Sequence, residues 1–157
     1  MEKEKESIEI VTAQLVLPPN TNQFGTIFGG KLVELMDMAG ALAAMRFANQ
    51  EVVTASIDTI DFKIPIKQGD LVEIGGKVIY TATTSMVVKV DVYRVKKLTG
   101  KKDFSCRGYL IFVAMDASGK PKPIPSLKLV SEDDKKFWSI GEGIKKRALE
   151  RQKTVID

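Results

Sequence analysis

Histidine is absent from this 157-residue chain, and cysteine and tryptophan each occur once. Without histidine the chain holds no Ser-His-Asp or Cys-His arrangement and no His-ligated metal. The lone Cys106 excludes an intramolecular disulfide and any cysteine-rich zinc site, and no metal centre is expected. Acid–base work at neutral pH falls mainly to carboxylates, lysines and tyrosines. Long apolar runs are scarce as well. The longest, Leu32–Phe47, is interrupted by Glu34 and Asp37 and is short for a bilayer span. The opening Met1-Glu2-Lys3-Glu4-Lys5-Glu6 has no apolar signal-peptide core, so a cytoplasmic protein without membrane association is expected.

What the chain does contain is ordinary for a globular protein: 44% hydrophobic and 28% charged residues, in a length that suits one domain burying its own core. A net charge of +4 fits an anionic ligand and an ordinary surface equally well. The basic run Lys145-Lys146-Arg147 has no aromatic interleaving and reads as a solvated helix face, not a nucleic-acid contact.

The apolar pattern changes period along the chain. Ser7–Leu17 alternates as a strand and ends at Pro18-Pro19-Asn20, after which a turn-rich loop leads to Gly29. Strong helix formers then predict a helix from Gly30 to Phe47, apolar nearly all round and therefore buried. Period two returns in Val53–Phe62, Leu71–Ala82, Ser85–Lys97 and Phe104–Asp116, joined by turns at Pro65–Asp70, Thr83–Thr84 and Thr99–Lys102. Consecutive hairpins of this kind imply antiparallel pairing. Ser131-Glu132-Asp133-Asp134 reads as a helix cap followed by acids. A charged helix to about Gln152 follows, kinked or broken at Gly141 and Gly143, docked through Phe137 and Trp138 to the body or to a neighbouring subunit. One antiparallel sheet around one apolar helix is an α+β architecture. It is assigned to residues 1–130, with a charged helical extension over 131–157. A helix apolar on every side needs a second surface, and a second subunit supplies one.

Three features carry chemistry. Gly25, Gly29 and Gly30 feed the helix start, where free N–H groups can face a ligand or simply make a tight entry. The Walker A and dinucleotide-binding patterns both fail here, the first because Gly30-Lys31 is followed by Leu32, the second on spacing. Asp37 lies two turns into the helix between Met36 and Met38, where a carboxylate costs free energy unless it is partnered, protonated or used. Asn22 can form the turn through its side chain or donate to a substrate carbonyl. Cys106, in an alternating strand and without a histidine to activate it, reads as a small buried side chain.

Thr21-Asn22-x-x-Gly25-x-Ile27-Phe28-Gly29-Gly30 followed by Met36-Asp37-x-Ala39-Gly40 resembles the hotdog-fold acyl-CoA thioesterases of the YciA and brain acyl-CoA hydrolase type. Val53-Thr54, Asp61-Phe62-x-x-Pro65-Ile66, Gly69-Asp70 and Phe112-Val113-Ala114-x-Asp116 extend the likeness over roughly Leu15–Pro125. The resemblance implies a long antiparallel sheet wrapped around a central helix, and a homodimer assembling into a hexamer with sites shared between subunits. It implies acyl-CoA as substrate, with coenzyme A part of that substrate and no separate cofactor. Asp37 matches the catalytic carboxylate, as general base or nucleophile. Asn22 matches an active-site asparagine supplied by the partner subunit, and the Gly30 N–H matches the polariser of the thioester carbonyl. Thr26 stands where some relatives carry aspartate. Gly29, Lys63, Arg94, Lys96 and Lys97 are the candidates for holding the coenzyme A part, its phosphates falling to the basic four; Lys89 and Arg107 are weaker ones, and Ser56 and Ser85 are not assigned. A hotdog module that binds acyl-CoA without turning it over is the other reading. A hotdog dehydratase is disfavoured because it pairs a histidine with a carboxylate.

Overall fold

The helix α1 runs from Gly29 to Ala48, one residue longer at each end than its apolar run predicts. It ends at Asn49, whose left-handed φ of 54° lets its N–H cap the Met45 carbonyl at 2.8 Å. In the computed structural model, which describes residues 3–154, five strands curl around this helix. Residues 1–2 and 155–157, the outer ends of the expected 1–130 and 131–157 segments, lie outside the described residues.

The strands are β2 (Ile10–Leu15), β3 (Glu51–Ile57), β4 (Leu71–Thr81), β5 (Ser85–Val95) and β6 (Lys102–Met115). They pair antiparallel throughout in the order β2-β4-β5-β6-β3. A two-residue strand β1 (Glu4–Lys5) pairs parallel with β7 (Ser126–Leu127).

The β4-β5-β6 meander follows the expected hairpins. The β3–β4 connection does not: β3 ends at Ile57, not Phe62, and pairs with β6 at the opposite edge from β2. The reason lies in residues 58–70. After Asp58 N donates to Tyr109 O, Ile60 crosses the sheet, where a Cβ on Gly108 would come within 3.1 Å of its Cγ1. Three side chains then anchor the segment. Ser105 Oγ donates to Ile64 O at 2.9 Å, Arg94 Nη1 to Pro65 O at 3.3 Å, and Asp70 Oδ2 accepts from Lys67 N at 3.0 Å.

The core lies between α1 and the concave face. Met36, Ala39, Ala43 and Ala44 pack with Val88, Val90, Val92, Leu110 and Phe112, all essentially inaccessible. Small residues set how closely the helix approaches, since a Cβ on Gly76 would lie 2.9 Å from the Ala39 carbonyl oxygen. The helix is not buried on every side within one chain, however. Met38 and Leu42, one turn apart, are 57% and 41% exposed.

The convex face is covered by α2 (Glu132–Thr154), through Ile144 and Ala148 on Ile79, Val87 and Ile111. Its start is a reciprocal cap: Ser131 Oγ accepts from Asp134 N, and Asp134 Oδ2 accepts from Val130 and Ser131 N–H. Those donors, Val130 N–H foremost, hold the Asp134 carboxyl below the usual carboxylate range. Trp138 and Phe137 dock the helix as expected, Trp138 against Tyr80 at 4.6 Å and Phe137 over Lys89 at 4.3 Å. The expected break at Gly141 and Gly143 does not occur. Gly141 instead permits close approach, since a Cβ there would sit 2.5 Å from Tyr80 Cβ. In the basic run Lys146 and Arg147 are exposed, but Lys145 is half-buried and its pKa is lowered by that burial. No described helix is long and apolar enough to cross a membrane, and no group of potential ligands among the described residues could hold a metal.

Candidate active site

The loop from Asn20 to Phe28 is built by its own polar groups. Asn22 N donates to Thr26 O at 2.8 Å and Gly25 N to Asn22 O at 3.0 Å, closing a tight turn with Gly25 at φ +74°. That positive φ accounts for the glycine at 25 by turn geometry alone. Ile27 N and Gln68 N tie the loop to the 58–70 segment, onto Ile66 O and Gly25 O. Asn22 is half-buried, and its Oδ1 accepts from Phe24 N (2.9 Å), Thr26 N (3.2 Å) and Thr26 Oγ1 (3.1 Å). Both readings of Asn22 are therefore compatible: the oxygen forms the turn, while Nδ2 donates to no group among the described residues.

Phe28 gives α1 no side-chain cap, and no acid lies in the first turn. The first N–H to find an acceptor is that of Leu32, on Phe28 O at 3.0 Å. The N–H groups of Gly29, Gly30 and Lys31 are left as donors, at the positive end of the helix dipole. A Cβ on Gly29 would touch the Phe62 ring at 3.7 Å, whereas a Cβ on Gly30 would meet nothing within 4 Å. Packing within the chain gives no reason for glycine at 30. Beside this helix start lies a cleft of about 300 Å³, lined by Thr26, Ile27, Leu32, Phe62, Ile64 and Ile66.

Asp37 is half-buried, less enclosed than its sequence neighbours suggest, and it is partnered. Thr54 Oγ1 on β3 donates to its Oδ1 at 2.6 Å. This threonine is a candidate site residue that reasoning from the sequence passed over. Its signal was the Val53-Thr54 match, which says nothing of a role until β3 is laid beside α1. Around the pair the surface is apolar and open, with Val53 and Ile57 at 47% and 42% exposure joining Met38. No hydrogen bond among the described residues links Asn22 to Asp37 or Thr54 within one chain.

The basic candidates divide. Arg94 Nη2 is bound to Asp103 at 2.9 Å, and Lys96 Nζ lies 3.4 Å from Asp70. Lys63 and Lys97 are exposed, with no acidic partner among the described residues; Lys97 Nζ lies beside Gly69. Lys89 and Arg107 belong elsewhere: both neutralise buried Asp91 under Phe137, at 3.5 Å and 2.5 Å. Ser56 Oγ accepts from Arg151, and Ser85 is buried in β5. Cys106 is buried, and burial pushes its thiol up to about 11, so it is inert at neutral pH.

A curled antiparallel sheet around one helix, with an unpaired helix start and a partnered carboxylate on that helix, defines a class: the chain belongs to the hotdog-fold acyl-CoA thioesterases. The family model described as Thioesterase superfamily matches residues 24–101. Among relatives, the uncharacterized acyl-CoA thioester hydrolase YkhA of Bacillus subtilis is 38% identical, the match covering 83% of this chain and 75% of that protein. A crystal structure of an apo-hexameric acyl-CoA thioesterase is 40% identical with a TM-score of 0.89, covering 96% of this chain and 97% of that one. An acyl-CoA hydrolase from Staphylococcus aureus, in complex with butyryl coenzyme A, coenzyme A and coenzyme A disulfide, is 35% identical with a TM-score of 0.86, covering 97% of this chain and 96% of that one. That hydrolase was also solved with one asparagine, one aspartate or one threonine replaced by alanine.

Proposed function

We propose that this protein hydrolyses acyl-CoA thioesters to a carboxylic acid and coenzyme A. A water oxygen, or Asp37 itself followed by water, adds to the thioester carbon. The carbonyl electrons move onto oxygen and return as the C–S bond breaks, and the sulfur leaves as a thiolate. A thiolate is a good leaving group, so the missing histidine costs the reaction little as general acid. Asp37 is general base or nucleophile, held in orientation by Thr54. The Gly30 N–H receives the developing oxyanion, and such donors are commonly worth about 3 kcal/mol each.

The observation that carries this reading is the Thr54–Asp37 hydrogen bond at an open apolar edge. Spacing along α1 then argues for a site shared by two subunits. Gly30 and Asp37 lie on nearly the same face but about 10 Å apart along the axis. That exceeds the reach of one carbonyl held about 3 Å from an attacking oxygen and about 3 Å from a donor. In a two-fold dimer the partner's helix start, with its asparagine, meets this chain's Asp37 and Thr54 across Met38, Val53 and Ile57. The residue types replaced in the Staphylococcus aureus hydrolase support the same set, because their separations in sequence equal those between Asn22, Asp37 and Thr54. Residues 1–130 carry the whole site and 131–157 form the extension. Dimers assemble further into a hexamer, as in the hexameric relative. Gly29 lies against the bound thioester arm. Lys63 and Lys97 contact the coenzyme A phosphates; Arg94 and Lys96 add positive charge nearby while holding Asp103 and Asp70.

Free-thiol release from a panel of acyl-CoA chain lengths tests the reading. Turnover of at least one member is expected, and tight binding of every member without thiol release would replace it with the acyl-CoA sensor. Gly30→Ala adds a sharper check. The new methyl meets only open space in the chain, so the melting temperature should hold, whereas kcat/KM should fall about tenfold through intrusion on the carbonyl's approach. An unchanged kcat/KM would place the oxyanion elsewhere.

A further inference from the structure

Among the polar side chains of the Asn22 loop with no part in that mechanism, Thr26 is the one whose hydroxyl bonds Asn22. Three donors converge on Asn22 Oδ1, and only one of them is a side chain. The two backbone N–H groups decide which amide atom faces inward, because a rotated amide would point Nδ2 at two donors. They leave the tilt of the amide plane to the third donor, Thr26 Oγ1 at 3.1 Å. A hydrogen bond at the carbonyl end also polarises the amide and strengthens its N–H as a donor. Thr26 is well placed to hold that tilt. Its own backbone bridges to Lys67, and its residue lines the cleft at the start of α1. Turn, cleft and asparagine thus meet at one side chain.

From this geometry we infer that Thr26 is a positioning residue for the hydrolysis: its hydroxyl donates to Asn22 Oδ1 and so aims the Asn22 Nδ2 donor at the thioester. The inference rests on the role proposed above for Asn22. An aspartate at this position would accept where Thr26 donates, and would demand a different arrangement of the loop.

Thr26→Val keeps the branched shape and removes only the donor. It should lower kcat about tenfold with KM within about twofold and an unchanged melting temperature. Thr26→Ser restores the donor and should restore most of kcat. In an Asn22→Ala background, Thr26→Val should cause no further loss, since the group it positions is gone. A wild-type kcat in Thr26→Val, no recovery in Thr26→Ser, or an equal loss in the Asn22→Ala background would each overturn the inference. Asn22→Ala alone separates the two levels. If it leaves turnover intact, the role of Asn22 itself falls. If it impairs turnover while Thr26→Val does not, only the role of Thr26 falls.

Discussion

Asp37→Asn is expected to lower kcat for acyl-CoA hydrolysis by about 1,000-fold, within the range that loss of a general base or nucleophile produces. The substitution is isosteric and retains an oxygen for the Thr54 hydroxyl to meet, so fold and assembly should persist. In the proposed site, substrate binding falls to the cleft and to basic residues elsewhere, so KM should change little. A fall in kcat and kcat/KM together is the signature of a group that acts only in the transition state. Steady-state thiol release by the two proteins, alongside their melting temperatures, decides the matter. Equal rates would remove Asp37 from the chemistry. Single-turnover hydrolysis in isotopically labelled water then separates its two routes, because label appearing in the enzyme carboxylate requires direct attack by Asp37.

The second large effect is a recovery. Asp37→Asn and Asn22→Ala are each expected to be nearly inactive, yet co-expressed in one cell they should yield active enzyme. If a site takes Asn22 from one subunit and Asp37 from the other, a mixed dimer holds one intact site and one site damaged twice. Random pairing makes half of all dimers mixed, so total activity returns to about a quarter of that of the unsubstituted enzyme. Sites contained within single chains would stay dead in any mixture. No recovery in a preparation shown by mass spectrometry to contain mixed dimers would refute the shared site. The apolar strip of Met38, Leu42, Val53 and Ile57 makes such pairing physically reasonable, since a surface of this kind beside a polar pair is better covered than wet.

Much of this molecule was legible in its residues. The alternation of Leu71–Val95 gave two strands nearly to the residue, because both lie mid-sheet with one face on the core. The limits of α1 were as clear, set by helix formers between a double glycine and Asn49. The β3 boundary was not. Residues 58–62 keep an alternating pattern, but after Asp58 N meets Tyr109 O they leave the ladder although β6 runs on to Lys102, and pairing rather than pattern ends a strand. Gly141 misled for a related reason. Glycine breaks a helix or permits close contact, and only the presence of Tyr80 beneath it decides which. At the site, Asp37, Asn22 and the double glycine stood out because each is unusual where it sits. Thr54 did not, since a threonine in a strand is ordinary until a carboxylate faces it. Arg94 and Lys96 likewise looked free in the sequence, and their acidic partners come from other segments.

The order β2-β4-β5-β6-β3 also governs how the chain comes together during synthesis. A chain that has left the ribosome through Ile57 carries two strands of the five-stranded sheet and the apolar α1, and neither strand has its partner yet. The partner of β2 begins at Leu71, and that of β3 is complete only at Met115. The local β4-β5-β6 hairpins close over short loops, whereas the edges close over long ones and wait on loop-closure entropy. The apolar α1 packs on β4, β5 and β6, all made after it, so its apolar residues stay without their partners until those strands exist and are ones a nascent chain needs to shield.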